Sequence, residues 1–531
     1  MKTTVQHIAQ WVADFDPDAV APESIQRIKH SILDAIGCAY ITLGEDCVGG
    51  VLTLSKEIGG SAQATLIGGG AAPLSTATLV NGTLIRAIDF NDHLALDPND
   101  GTKLGGHPSD NLAGILAAAE WCNRSGQDII TASLISYELY GRLYKFLTPA
   151  LPWDHTTAFG FTVPAVTARL LGLNAEKIAH AIAMSAAQSA TLGVVRRGQL
   201  SHSKFLASAL VAQRGVQAAQ LAAAGVRGPM TVFEDSRGLA KGVFQRNDGL
   251  ESLYAPPGQR HMVEGVTIKA FPGMDTTQAA TQAAIAATGG RRLKASDVAE
   301  VELIVNDHPM TVAQTGDVER RQPKSRETAD HSFHYLVAVA LLDGELTPRQ
   351  FPNGRWFAPD VVDVMNRIVI RSDHSWRAKA PGGFPCAVRL KTRDGRETWS
   401  EIAYALGHAR NKMNKEQVIA KFYTCVDGRL TTRQAEAIIS TVYDLDMLPL
   451  ARDLTRLLAP GGVQGRPGGK DHTLGPCYSG SIGSHATEEQ MSIAFDDVIS
   501  SLRSAAWRGQ CCTMCTGYEI SRRTGTDWCT C

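Results

Sequence analysis

The chain has 531 residues, 44% of them apolar, and sets 52 Lys and Arg against 53 Asp and Glu for a formal net charge of −1. That length exceeds one ordinary domain and fits two core-bearing units plus a tail. So even a charge balance argues against nucleic acid or an anionic membrane surface as partner, and an anionic substrate would need a local cluster of cations. The opening residues MKTTVQHIAQWVADFDPD lack the basic start, apolar core and small-residue cleavage site of a secretory signal. No apolar run reaches the length of a membrane span, so the expectation is a soluble, cytoplasmic protein. Cys38, Cys47, Cys122, Cys386, Cys425 and Cys477 are scattered and read as reduced thiols packed as small hydrophobes.

In chain order, residues 1 to about 85 read mostly as helix, with Ile25, Ile28, Ile32 and Ile36 at helical spacing on one face. Gly68-Gly69-Gly70 has no Lys-Ser/Thr after it and is not a phosphate loop. Residues 88–111, IDFNDHLALDPNDGTKLGGHPSDN, then concentrate Asp89, Asp92, His93, Asp97, Asp100, Lys103, His107 and Asp110 in a Gly/Pro-broken stretch between Ala-rich apolar runs. Ionisable groups on a loop held by helices are how acid/base sites are commonly built. Helices are expected over 112–121 and 129–145. The stretch from Trp153 through Asp154 and His155 to Gly160 leads into a helix ending at Gly172, and Asn174 is placed to cap the next. Everything to about residue 225 reads as all-α.

Near residue 263 the pattern changes. Val301, Leu303 and Val305 alternate with Glu302, Ile304 and Asn306, while Val388, Leu390 and Thr392 run into Asp394-Gly395 and a returning strand through Trp399. Residues 329–342 between them read as helix, and helices resume over 415–458. The expected fold is mainly α: a large all-helical domain whose first part is 1–262 and whose returning part is 405–459, plus a smaller inserted α+β domain at 263–404. Residues 460–531 form a Gly/Pro-rich linker and Cys-rich tail, expected to be disordered apart from a short helix over 487–504. In the tail, Cys512 and Cys515 have zinc-knuckle spacing but Cys529 and Cys531 do not, so the tail is read as unstructured and metal-free.

Four motifs stand in a fixed order: DFND at 89–92 with HPSDN at 107–111; GQLSHSK at 198–204 after Arg196 and Arg197; TIKAFPG at 267–273; and RETADHSFHY at 326–335. In this order the chain resembles the 2-methylcitrate dehydratase (MmgE/PrpD) family over roughly residues 5–459. The resemblance implies an active cleft containing Asp89, His107, His155, Lys204, Lys269 and Tyr335, with Asp92, His93, Ser109, Arg197 and His202 in substrate binding. It further implies a homodimer acting on a di- or tricarboxylate without metal or cofactor, in propionate catabolism. The expected reaction is dehydration of 2-methylcitrate or a related hydroxy-tricarboxylate. Aconitate decarboxylation or imino-diacid epimerisation in the same pocket is the alternative, since all begin with charge developing beside a carboxylate. A non-catalytic relative with a partner- or metal-binding cysteine tail is a third reading.

The chemistry independently asks for these residue types. Removing a proton beside a carboxylate and expelling a hydroxyl needs cations to hold the anion and a base and acid to move protons. Lys204, Lys269 and Arg197 are the candidate cations, and Asp89, His107 and His155 the candidate proton carriers. The chain departs from the family pattern at His93, where a Thr is common, at Met274 and Gln278, where a Cys and a His are common, and in a longer loop before His107. These departures are expected to alter the substrate, and the longer loop to reshape or cover the pocket.

Overall fold

The computed structural model describes residues 1–147, 153–246 and 248–459. The expectations for the tail, including its short helix and its cysteines, lie outside the described residues.

The helical part is built on close backbone approach. Helix Ser203–Ala223 packs against both Leu74–Arg86 and Phe159–Leu170. Small residues set the spacing: a Cβ on Gly82 would lie 3.1 Å from that of Ala209, and one on Gly215 would lie 2.9 Å from Pro164. Alanine and glycine at such contacts bring helix axes near the lower end of the usual range. Helix Pro22–Ile41 starts with its proline at the first turn, where no backbone donor is lost, and buries Ile28, Ile32, Leu33 and Ile36. Helix Lys415–Val426 packs on it, and Phe422, Ile438 and Leu454 share one apolar core with those isoleucines. Asn174 caps helix Ala175–Ala186 by accepting from the Lys177 amide.

The α+β part carries a four-stranded sheet in the order Ile368–Asp373, Val298–Asn306, Cys386–Thr392, Glu397–Ile402. The first pair is parallel and the other two antiparallel. Helices Gln278–Thr288 and Phe333–Asp343 belong to the core beside it, with Val301, Leu303 and Val305 pointing in. On the other side Glu302 is buried between Arg371 and Arg389, at 2.7 and 2.5 Å.

Three local differences from the sequence reading bear on the site. Residues 329–342 are not one helix: Arg326–Ala329 ends, and Phe333–Asp343 begins after Ser332 caps it by accepting from the Tyr335 amide. The break exposes Asp330 and His331 to the interior between the two parts. The first 262 residues are not wholly helical. Ala64–Thr65 pairs with Ala71–Ala72 around three glycines of positive φ, and His93–Leu94 pairs with Val266–Thr267. The second ladder joins the charged loop to the strand that leads into Lys269.

That strand is held in turn by Gly407. Its carbonyl accepts from the Ile268 amide at 3.0 Å, its φ is +89°, and a Cβ there would fall 1.8 Å from the Ile268 carbonyl oxygen. Left-handed backbone and a backbone clash add, so Gly407→Ala is expected to cost about 2–4 kcal/mol and lower Tm by several degrees. An unchanged thermal midpoint would show that the segment carrying Lys269 is not pinned there.

Candidate active site

Asp89 follows the end of helix Leu74–Arg86 and is 2% exposed. Three cations reach its carboxylate: Lys269 Nζ at 2.5 Å, Arg86 Nη1 at 3.1 Å and Lys204 Nζ at 3.3 Å. His331 Nε2 lies 3.1 Å and His107 Nε2 3.6 Å from it. Burial alone would raise its pKa, but Lys204, Lys269 and Arg86 together outweigh burial and hold it well below the usual carboxylate range. Lys204, the second residue of its helix, is fully buried, and burial lowers its pKa to about 8 against the pull of Asp330 and Asp89. Asp89, Asp330 and His331 bring three ligand atoms within 4.8 Å of one another, a spacing that suits a metal ion. The Lys204 ammonium already lies 3.1–3.3 Å from all three residues, so the protein supplies its own cation there.

Beside this cluster three imidazoles stand in a row, His93 to His107 to His155, with ring centroids 5.6 and 5.7 Å apart. Burial, reinforced by nearby cations, keeps all three neutral: His93 and His155 are lowered to about 3, and His107 well below its ordinary value. Their hydrogen bonds assign different tautomers to two of them. His107 Nδ1 lies 2.6 Å from the Asp92 carbonyl, which can only accept, so Nδ1 carries the proton and Nε2 the lone pair. His155 Nδ1 lies 2.9 Å from the Tyr140 hydroxyl. Among the described residues that hydroxyl has no other acceptor, so it donates, Nδ1 accepts, and the His155 proton sits on Nε2. Gly106 makes this arrangement possible: a Cβ there would sit 1.7 Å from Tyr140 Oη and 2.8 Å from His155 Nδ1. Asp154, 3.9 Å from His155 Nε2, is engaged by Arg196 at 2.6 and 3.2 Å.

A cavity of about 780 Å³ opens onto Asp89, His93, His107, His155, Lys269 and Arg197. Lys204 lies one layer behind, acting through Asp89 and His331. Asp92 and Ser109 support the wall without lining it. The Asp92 carboxylate accepts from Tyr137 at 2.6 Å and from the Ser109 amide at 3.2 Å, and Ser109 Oγ accepts from Asn91 at 2.9 Å. Two expected site residues are placed elsewhere. Tyr335 is buried against Phe351 and Trp356 in the α+β core, its hydroxyl donating to the Gln350 carbonyl. Tyr335 is the third residue of Phe333–Asp343, and its ring packs against the segment 348–357. His202 is exposed and faces Glu327 at 3.6 Å, outside the cavity. In their stead the site holds Arg86, Tyr140, Asp154, Arg196, Asp275, Asp330 and His331. Asp330 and His331 stood in the same motif as Tyr335, and Asp154 beside His155, whereas nothing in the sequence marks Tyr140 apart from its neighbours in an apolar helix.

The longer loop is pinned. Lys145 engages Asp97 at 2.7 Å and Asp100 at 2.8 Å, and Lys103 reaches Asp275 at 3.2 Å. It therefore forms part of the wall, through Gly105 and Gly106.

A buried carboxylate neutralised by lysines, with neutral imidazoles of opposed tautomer facing a cavity, defines a site able to hold a carboxylate anion and move a proton beside it. The chain belongs to the MmgE/PrpD family: residues 6–250 match its N-terminal domain and residues 271–446 its C-terminal domain. It is 25% identical over 490 residues to the cis-aconitate decarboxylase of Mus musculus, covering 87% of this chain and 95% of that protein. It is also 25% identical to the 2-methylcitrate dehydratase of Cupriavidus necator, over 80% of this chain and 90% of the relative. The 2-methylcitrate dehydratase of Escherichia coli strain K12 is 25% identical over 70% and 79%. Among the described residues no single helix is long and apolar enough to cross a membrane.

The neutral imidazoles make the fold sensitive to acid. His93, His155 and His331 are lowered to about 3, His30, His334 and His408 to about 4, and His107 well below its ordinary value, in each case chiefly by burial. An unfolded chain protonates them near pH 6.5, so below that pH it binds protons the native state refuses, and stability falls by up to about 1.4 kcal/mol per pH unit for each. Buried Asp92 at about 7 and Asp110 at about 6, with Asp34 and Glu45 also raised by burial, act in the opposite sense but are fewer. Tm is therefore expected to drop by several degrees between about pH 7 and pH 5, and a flat profile would contradict neutral burial of these rings.

Proposed function

We propose that the protein is a hydro-lyase that dehydrates 2-methylcitrate or a related hydroxy-tricarboxylate to an aconitate-type alkene by side-chain acid/base chemistry. The observation that carries the reading is the pair of rings lining the cavity with Lys269, His107 with its Nδ1 on the Asp92 carbonyl and His155 with its Nδ1 on the Tyr140 hydroxyl, from which follow a lone pair on His107 Nε2 and an N–H on His155 Nε2. In this reading Lys269 and Arg197 hold substrate carboxylates, and His107 Nε2 takes the proton from the carbon next to one of them. Asp89, 3.6 Å away, stabilises the imidazolium so formed, and Lys269 stabilises the enolate-like charge. The electron pair of the broken C–H bond becomes the new C=C bond as the C–O bond breaks. The departing hydroxyl is held by the His155 N–H and receives the proton back from His107, leaving as water with both rings neutral again. A neutral imidazole serving as hydrogen-bond donor avoids placing another positive charge among the existing ones. The relatives named 2-methylcitrate dehydratase support this reading.

A second reading, decarboxylation, is favoured by the relative named cis-aconitate decarboxylase, at the same 25% identity. The same cations would hold the carboxylates, and a proton would replace the departing carbon dioxide.

Purified protein supplied with 2-methylcitrate, citrate or cis-aconitate separates the two. The expected result is alkene absorbance from a hydroxy-acid without carbon dioxide, whereas carbon dioxide from cis-aconitate would transfer the assignment to the decarboxylase. His107→Ala should lower turnover by about 100- to 10,000-fold with the fold retained. Near-normal turnover in that variant would remove His107 from the mechanism.

A further inference from the structure

The cavity is larger than a methyl-substituted citrate needs. At roughly 30 Å³ per water-sized unit, its 780 Å³ holds on the order of 25 such units. A molecule the size of 2-methylcitrate, at no more than one unit per non-hydrogen atom, fills about half.

The space beyond the histidine row has an apolar wall drawn from both parts of the chain. Trp153 and Val194 come from the helical part, and Met274, Pro309, Met310 and Ala313 from the α+β part. Val194 is 69% exposed, so its side chain is open to a molecule lying in the cavity. Most charged and polar groups at this end are engaged, and His308, which also lines it, accepts at Nδ1 from the Met310 amide at 3.2 Å. Arg320 pairs with Asp317 at 3.3 Å, Arg196 with Asp154, and Gln314 accepts from Thr276. Arg197 has no carboxylate partner among the described residues, which leaves it for an anion at the rim. An extra carboxylate or hydroxyl lying along the apolar wall would lose water without gaining a partner, while a hydrocarbon chain there loses only unfavourable contact with water.

We infer that the substrate is a carboxylic acid whose polar head sits at the histidine row and whose apolar substituent, longer than methyl, lies between residues 153 and 194 on one side and helix Pro309–Thr315 on the other. The inference rests on the reading above for the head group and adds the tail.

Unreactive diacids test the tail apart from the chemistry. Binding of succinate, 2-butylsuccinate and 2-octylsuccinate to the full chain is measured by calorimetry, alongside turnover of citrate and 2-methylcitrate. Each fully buried methylene should tighten binding by about 4-fold, so 2-butylsuccinate with even half of its chain buried should bind at least about tenfold more tightly than succinate. Ala313→Trp, at an exposed helix position that tolerates a larger side chain, should collapse that ratio by filling the space. Affinity that stays flat or falls with chain length overturns the inference, as does a ratio unchanged in Ala313→Trp. Absence of binding by all three diacids overturns it together with the carboxylate reading of the site. Turnover of 2-methylcitrate without a chain-length gain sinks the tail alone, and a chain-length gain without turnover of either acid sinks the hydro-lyase reading alone.

Discussion

The Asp89 carboxylate is the interaction on which the rest of the site depends. Arg86 reaches it from its own helix, Lys204 from a second helix, Lys269 from the segment after a short strand and His331 from the break between two helices. Two of these come from the first 250 residues and two from beyond residue 260, so the constellation exists only where the helical and α+β parts meet. Such buried charges cost several kcal/mol each to desolvate, and removing one partner strands the others. Lys204 shows how the cost is met: Asp330 stands 3.3 Å away as a second carboxylate, itself 3.6 Å from Arg326. The charges form a closed set rather than a single pair.

The excess of nearby cations fixes the protonation of everything around them. Imidazoles next to Lys204, Lys269, Arg86 and Arg196 gain little by adding another positive charge, and burial removes the water that would otherwise allow it. Neutral rings then take their tautomers from whatever lies behind them. For His107 that is a main-chain carbonyl and for His155 a phenol, one an acceptor and the other a donor, so adjacent rings present opposite faces to the cavity. The distinction between acceptor and donor is thus made by Asp92 and Tyr140, neither of which lines the cavity.

Much of this was legible in the sequence, and the boundary has physical causes. The loop at 88–111 announced itself because ionisable groups are dense where glycine and proline forbid helix, and the ordered motifs pointed to Lys204 and Lys269. The strands with alternating apolar residues were readable by period. Strand Ile368–Asp373 was not, because only its first residue is buried and its outer residues are exposed. Residues 329–342 read as one helix because apolar periodicity resumes at once after the break, and a serine cap is easily taken for a surface position. The resemblance implied Tyr335 in the cleft, whereas it is His331, four residues earlier in the same motif, that faces Asp89. Tyr140 was hidden for a different reason. In an apolar helix a tyrosine counts as core, and only the approach of Gly106 and His155 gives its hydroxyl a role. Side chains that act through a neighbour leave little trace in one sequence.

The opposed tautomers are the central claim, and ring-nitrogen NMR of the protein labelled with ¹⁵N-histidine tests them most directly, without any substrate. Signals would be assigned by replacing His107 or His155 singly with Gln. At neutral pH the account predicts a protonated Nδ1 and bare Nε2 for His107, the reverse for His155, and loss of the preference at His155 alone in Tyr140→Phe. The same tautomer at both rings, or an imidazolium at either, would contradict it.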